Sequence, residues 1–248
     1  MADERIEAML AKQKRLEQDL ADLTSELEEL KAEREGTKLN VFAIKDTWNM
    51  MKINAIDGTF RRKYPIGAYK VANFGPEGLI RMQLVQMTDK WAHFMAMDAL
   101  KFPHRMNAVL ESDMDGNPVE GTGACGGWLG AELREYLNTA VLHLLESDAW
   151  NSISDSGRGV LWVPSEDEVF GDEYERFPCF PDKESRIRRM SGREKPCTWW
   201  LNNGMGQNSF ECVCSDGMKG AMSSYQSIGV TVGFSIRLSG RTARKEGE

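Results

Sequence analysis

The sequence predicts an α+β protein: an N-terminal parallel coiled coil followed by a globular domain of mixed strand and helix. Composition breaks sharply at residue 36. Residues 1–35 hold six basic and eleven acidic side chains and no Gly or Pro, whereas all 23 Gly and 8 Pro lie from Gly36 onward. Apolar residues in the first segment recur at alternating steps of three and four. Beyond it, short β-branched and aromatic runs alternate with turn signals around a single stretch of helical period.

Residues 1–36 form the predicted stalk. With Ile6, Gln13, Leu20, Leu27 and Arg34 at heptad position a, Met9, Leu16, Leu23 and Leu30 fall at d without a slip. One stripe therefore stays on one face of a slightly under-wound helix. Lys12 at g meets Glu17 at e of a neighbour, and Glu26 at g meets Lys31 at e, both pairs of opposite sign. This favours a parallel, in-register homo-oligomer through residues 1–36. About 30 residues at ~1.5 Å each make a stalk of ~45 Å. The a and d residues do not set the oligomer number.

Residues 36–40 read as a hinge and residues 37–240 as one domain, with a polar, disordered tail at 241–248. Strands are expected at 52–56, 68–72 and 79–88, the last with near alternation. Asp57-Gly58, Phe74-Gly75-Pro76 and Asp115-Gly116-Asn117-Pro118 mark turns. Residues 111–127 are polar and glycine-rich and read as a loop. The clearest helix spans 128–145, with Leu129, Leu133, Leu137, Val141 and Leu144/Leu145 at intervals of three or four. A short buried strand at 160–163 precedes a helical turn opened by Ser165 as N-cap and Glu168 at N3, a capping box. Residues 182–190 form one to three charged turns. Strands return at 198–201, 210–214 and 230–236. The core is expected to include Trp128, Leu133, Leu137, Trp162, Trp199, Trp200 and Leu201.

Several function classes are poorly served by this chain. A net charge of −7 without a basic stripe argues against nucleic acid as partner. No apolar run approaches the ~18–20 residues of a membrane span, so no membrane insertion is expected. The N-terminus has no basic and apolar leader pattern, so no signal peptide is expected. His93, His104 and His143 stand outside any known nucleophile motif, and no glycine-rich phosphate loop is present. Asp113, Asp115 and Asn117 alternate like the start of a calcium loop, but the Gly and terminal Glu of an EF-hand do not follow. Cys212 and Cys214 lack the second knuckle of a zinc site, and the five cysteines read as free thiols. No metal and no cofactor is expected. Glu166, Asp167 and Glu168 are helix neighbours that do not face one another, and the capping box accounts for them better than catalysis does.

A binding surface remains. Residues 199–226 are dominated by Asn, Ser, Gly, Gln, Tyr and Met, side chains suited to adaptable recognition. The expected ligand contacts are Asn202, Asn203, Gln207, Asn208, Ser209, Lys219, Met222, Ser224, Tyr225 and Gln226, with Tyr225 as the best anchor. All are expected in loops or at outward strand positions.

The order of motifs resembles a known family. Gly127-Trp128, Glu132-Leu133-Arg134-Glu135-Tyr136-Leu137-Asn138, LWVPSEDE at 161–168, DKESRI at 182–187, Thr198-Trp199-Trp200-Leu201, Val213-Cys214-Ser215-Asp216-Gly217 and Ile228-Gly229-Val230 follow in sequence. They resemble an uncharacterised domain family of Firmicutes and their phages, over roughly residues 48–238. The resemblance implies a C-type-lectin-like fold and non-enzymatic ligand binding; that family includes proteins diversified by retroelements. Where the family has Arg-Ser-Pro after the double Trp and Leu, this chain has Asn202-Asn203-Gly204. Where the family has Val-Arg-Pro, it has Val230-Thr231-Val232. The expected setting is a phage receptor-binding or tail-tip protein in the virion, assembled in the bacterial cytoplasm. Its partners would be a host or cell-surface receptor, protein or glycan, and other virion proteins. The resemblance favours a trimer over a dimer. A retroelement-diversified cellular protein is the alternative in the binding class. From another class, a lectin-fold cysteine-dependent modifying enzyme would rely on Cys212 and Cys214.

Overall fold

In the computed structural model the described residues are Leu20, Leu23, 42–117, 119 and 122–238. The chain divides into two compact units, Met1–Ala43 and Ile44–Glu248. The coiled coil predicted over 1–36 and the tail at 241–248 lie outside the described residues, save Leu20 and Leu23, which are helical and exposed. The second unit is mixed α+β, mostly antiparallel sheet with few helices.

Helix α1 (Trp48–Ile56) opens the unit where a strand was predicted over 52–56. Two caps decide against the strand. The Thr47 side chain accepts from Met50 N at 3.1 Å. The Asp148 carboxylate, a hundred residues away, accepts from Trp48 N at 2.8 Å and Asn49 N at 3.0 Å. Together they satisfy three of the amides that a helix N-terminus leaves open. Trp48, Met51 and Ala55 face inward at helical spacing, while Ile53 and Ile56 point outward. Helix α2 (Phe60–Lys63) follows.

Strands β1 (Tyr69–Asn73), β2 (Leu79–Met87), β3 (Trp91–Ala96), β4 (Leu161–Trp162) and β10 (Gly233–Arg237) form an antiparallel sheet in the order β1-β2-β3-β10-β4. Strand β3 escapes the sequence reading because His93 sits on its face away from the main core. The two-residue period splits this sheet between two cores. Ala92, Phe94, Ala96, Phe234 and Ile236 join α1 in the larger one. There Trp48 meets Phe94 and Phe234 edge-on, with centroids 5.4 and 5.2 Å apart. Met95 and Trp162 face the smaller core.

The predicted helix at 128–145 begins later, as α3 (Glu132–Tyr136), runs through a π turn (Leu137–Val141) and closes as α4 (Leu142–Leu144). Gly126 and Gly127 hold the preceding residues in a turn. Leu129, assigned to the apolar stripe, is exposed instead. Asn138 in the π turn binds β4 much as a strand would. Its Oδ1 accepts from Leu161 N at 3.0 Å and its Nδ2 donates to Leu161 O at 2.9 Å. Helix α5 (Ser147–Trp150) supplies the Asp148 cap to α1.

Helix α6 (Glu166–Phe170) carries the predicted capping box: Ser165 N donates to Glu168 Oε2 at 2.8 Å and Glu168 N to Ser165 Oγ at 3.3 Å. The charged stretch at 182–190 is a single 3-10 turn (Glu184–Arg186) followed by β5 (Arg188–Arg189), which pairs with β6 (Pro196–Cys197). A third antiparallel sheet contains β7 (Trp199–Met205), β8 (Ser209–Val213) and β9 (Lys219–Ser223) in that order. Leu133, Leu137, Trp162, Trp199, Trp200 and Leu201 are buried as expected. Trp128 is not; it is half-buried between the two cores and donates its Nε1 to Arg158 O at 3.1 Å.

Candidate functional site

The sheet of β7, β8 and β9 is built from the double tryptophan outward. Adjacent residues on a strand face opposite sides. Trp200 enters the larger core and donates to His104 O at 2.8 Å, while Trp199 enters the smaller core and donates to Arg186 O at 3.0 Å. Both indole N–H groups are thereby satisfied, and the sheet is locked to two cores at once. Behind Trp199 lies the buried Arg188 guanidinium, stacked on the Phe180 ring at 4.9 Å.

One end of this sheet carries a polar cluster. Lys219 bonds Glu166 and, at 2.9 Å, Glu211 Oε1. Asn203 Oδ1 accepts from Glu166 N at 2.6 Å, fastening the start of α6 to β7. Hydrogen bonds donated to Glu166 and then to Glu211 hold the Lys219 ammonium above its ordinary pKa. Glu211 is buried, and among the described residues its Oε2 has no hydrogen-bond partner.

The other end is the tip of the β7–β8 hairpin together with the residues after β9. Its backbone is pinned: Ala124 N donates to Gln207 O at 2.7 Å, Ser224 N to Asn208 O at 2.8 Å, and Met106 N to Ser224 O at 2.8 Å. The side chains of Gln207, Asn208, Tyr225 and Gln226 are exposed. Among the described residues none of these four side chains makes a hydrogen bond. Ser209, at the start of β8 opposite Ser223, is half-buried beside them.

The ten predicted contacts thus fall into separate places. Gln207, Asn208, Ser209, Tyr225 and Gln226 gather at the tip. Lys219 lies at the far end of β9, on a strand that the Gly- and Ser-containing run KGAMS did not announce. Four positions are corrected from outward-facing to structural. Ser224 is fully buried, with its Oγ donating to Ala108 O at 3.3 Å. Met222 packs against the larger core. Asn202 donates its Nδ2 to Val163 O at 3.1 Å, and Asn203 caps Glu166. The reading missed Glu211 and the part Glu166 plays at Lys219. Glu211 lies two residues from Val213 and so on the same face of β8, but only the β8–β9 register brings Lys219 to it.

Chemically reactive groups elsewhere are held quiet. His93 is buried, with Nδ1 2.8 Å from Ser235 Oγ, and burial together with the nearby Arg158 guanidinium pushes its pKa down to about 4. Burial pushes the Cys179 and Cys212 thiols up to about 12 and Cys197 to about 11. None of the five cysteines forms a disulfide. Asp113 spends its Oδ1 on Asp115 N and Asn117 N, at 2.9 and 2.8 Å, closing its own turn. Among the described residues no group of three or more His, Cys, Asp or Glu is placed to hold a metal ion. No described helix is long and apolar enough to cross a membrane.

Compared with protein-family models, with curated proteins and with solved structures, the chain matches none.

Proposed function

We propose that the protein is a non-enzymatic recognition protein, with a C-type-lectin-like head on an oligomerising stalk. It binds a host or cell-surface receptor, protein or glycan, through the hairpin tip. The observation that carries this is the contrast at the tip between a fixed backbone and free side chains. Gln207, Asn208, Tyr225 and Gln226 offer donors, acceptors and one ring, while three hydrogen bonds hold the backbone that presents them. Such a surface loses little backbone freedom when it binds, so more of each contact appears as affinity.

The lectin-like reading is supported by what the motif residues do. Asn138, Ser165 with Glu168, Trp199 with Trp200, and Gly217 all hold elements together, as family-defining residues of a scaffold should. The setting proposed is a phage receptor-binding or tail-tip protein, with a trimer favoured over a dimer. A thiol-dependent enzyme is less well served, because Cys212, with its pKa pushed up to about 12, lacks the thiolate character a catalytic cysteine needs.

Binding of labelled full-length chain to a panel of bacterial cells and to a glycan array tests the proposal. Tyr225→Ala and Asn208→Ala should each weaken binding by about 1–2 kcal/mol or more, with melting unchanged. Binding that survives both substitutions would place the ligand contacts elsewhere.

A further inference from the structure

Cys212 and Cys214 sit at the end of β8, two residues apart, and so leave the chain on the same side. Opposite Cys212 on β9 is Gly220. A Cβ at that position would lie 2.6 Å from Cys214 Sγ and 3.4 Å from Cys212 Sγ. Glycine therefore leaves open a space that both sulfurs border. Cys212 is buried, whereas Cys214 is half-exposed.

We propose that Cys212 and Cys214 are a reversible redox pair that exchanges with a small-molecule disulfide of the glutathione class. Residues i and i+2 of a strand have Cα atoms roughly 6.4–6.8 Å apart, at the upper end of the ~4.4–6.8 Å that a disulfide spans, and a bridge needs Cβ atoms only ~3.5–4.5 Å apart, so the chain at Cys214 must turn for it to close. A bridge closed at that limit is of the readily reduced kind, suited to reversible modification rather than to holding the fold. Cys214 also lies just beyond the last residue of β8. Its N–H donates to Met218 O at 2.7 Å and its carbonyl accepts from Gly217 N at 2.9 Å. The backbone that must adjust is a turn, not the middle of a ladder. By contrast, Cys179 and Cys197 are buried beside the Arg188 guanidinium, away from small reagents.

The exchange takes two steps. Cys214 gives its proton to solvent, and the thiolate attacks one sulfur of the small disulfide. A mixed disulfide forms and one small thiolate leaves. Cys212 then loses its proton and attacks the Cys214 sulfur, expelling the second small thiolate. Two protein thiols are oxidised to one disulfide, and the small disulfide is reduced to two thiols. Burial, which keeps Cys212 protonated, makes the second step the slower one, so the mixed disulfide accumulates first.

Intact-mass and peptide-mapping spectrometry of the reduced full-length chain, sampled through incubation with oxidised glutathione, tests this. The expected course is one glutathione adduct at Cys214, then a monomer lighter by two hydrogens in which residues 212 and 214 resist alkylation. Dithiothreitol should restore both thiols. Cys212→Ser should stop at the adduct and lose the bridged product. If that variant does not fold, the wild-type time course alone decides. A wild-type adduct that never converts, a chain that never reacts at Cys214, or a bridge to another cysteine would each overturn the proposal.

Discussion

Asn203 and Tyr225 show why residue type alone does not assign a role. Both are polar or amphipathic and both lie in the variable-looking stretch after the double tryptophan. Asn203 spends its side-chain oxygen on Glu166 N, whereas Tyr225 is 49% exposed and its hydroxyl makes no hydrogen bond among the described residues. Asn203→Ala should therefore cost about 1 kcal/mol of stability, the scale of a lost helix-start hydrogen bond, read as a lower denaturation midpoint. Tyr225→Ala should leave that midpoint in place. Gly217 shows the opposite case, a residue whose role its type does reveal. Its φ is +85° and an added Cβ would stand 2.1 Å from Lys183 O, so the Asp216-Gly217 turn admits only glycine.

At the scale of elements, the end contacts decide more than local propensity does. The segment 52–56, rich in β-branched residues, is helical because Thr47 and Asp148 satisfy the amides at the start of α1. Asp148→Ala should uncap that helix at a cost of about 1–2 kcal/mol, with helical circular dichroism falling at temperatures below global unfolding. An unchanged melting curve would mean that packing of Trp48 alone holds α1. Strand β9 makes the same point. Lys219-Gly220-Ala221-Met222-Ser223 has little strand preference of its own, and its conformation comes from five register pairs with β8.

At the scale of the molecule, the head depends on two cores joined through the five-stranded sheet and the β7–β9 sheet. His93 lies on the smaller-core side of the former, facing Ser235, the edge of the Trp162 ring and the Arg158 guanidinium. Its pKa in the folded head is about 4, against 6.5 as the ordinary value. The unfolded chain therefore takes up the proton first as pH falls. The stabilisation from a neutral His93 is complete above pH 6.5 and is lost progressively toward pH 4, a total of about 3 kcal/mol. Denaturation midpoints measured across that window should fall, and His93→Gln should flatten the fall. A wild-type profile that stays level from pH 6.5 to 4 would show that His93 is protonated without cost. The stalk makes a prediction at the same scale: light scattering of the full chain should give the mass of a trimer, with a dimer as second choice. A monomer would end the coiled-coil reading.

The sequence alone determined the α+β class, the capping box at Ser165 and Glu168, most strands and the burial of Trp162, Trp199 and Trp200. These are local or periodic properties: a cap needs only its own three following residues, and burial on a strand repeats every second position. It also pointed to the region of the hairpin tip, through composition. Tertiary structure decided what no period records. It placed Asp148 at the start of α1, Asn138 across β4, Ser224 under the tip and Glu211 beside Lys219. Each of these is a contact between residues distant in the chain, or a register between strands. A one-residue change in such a register turns an exposed side chain into a buried one without altering its local sequence.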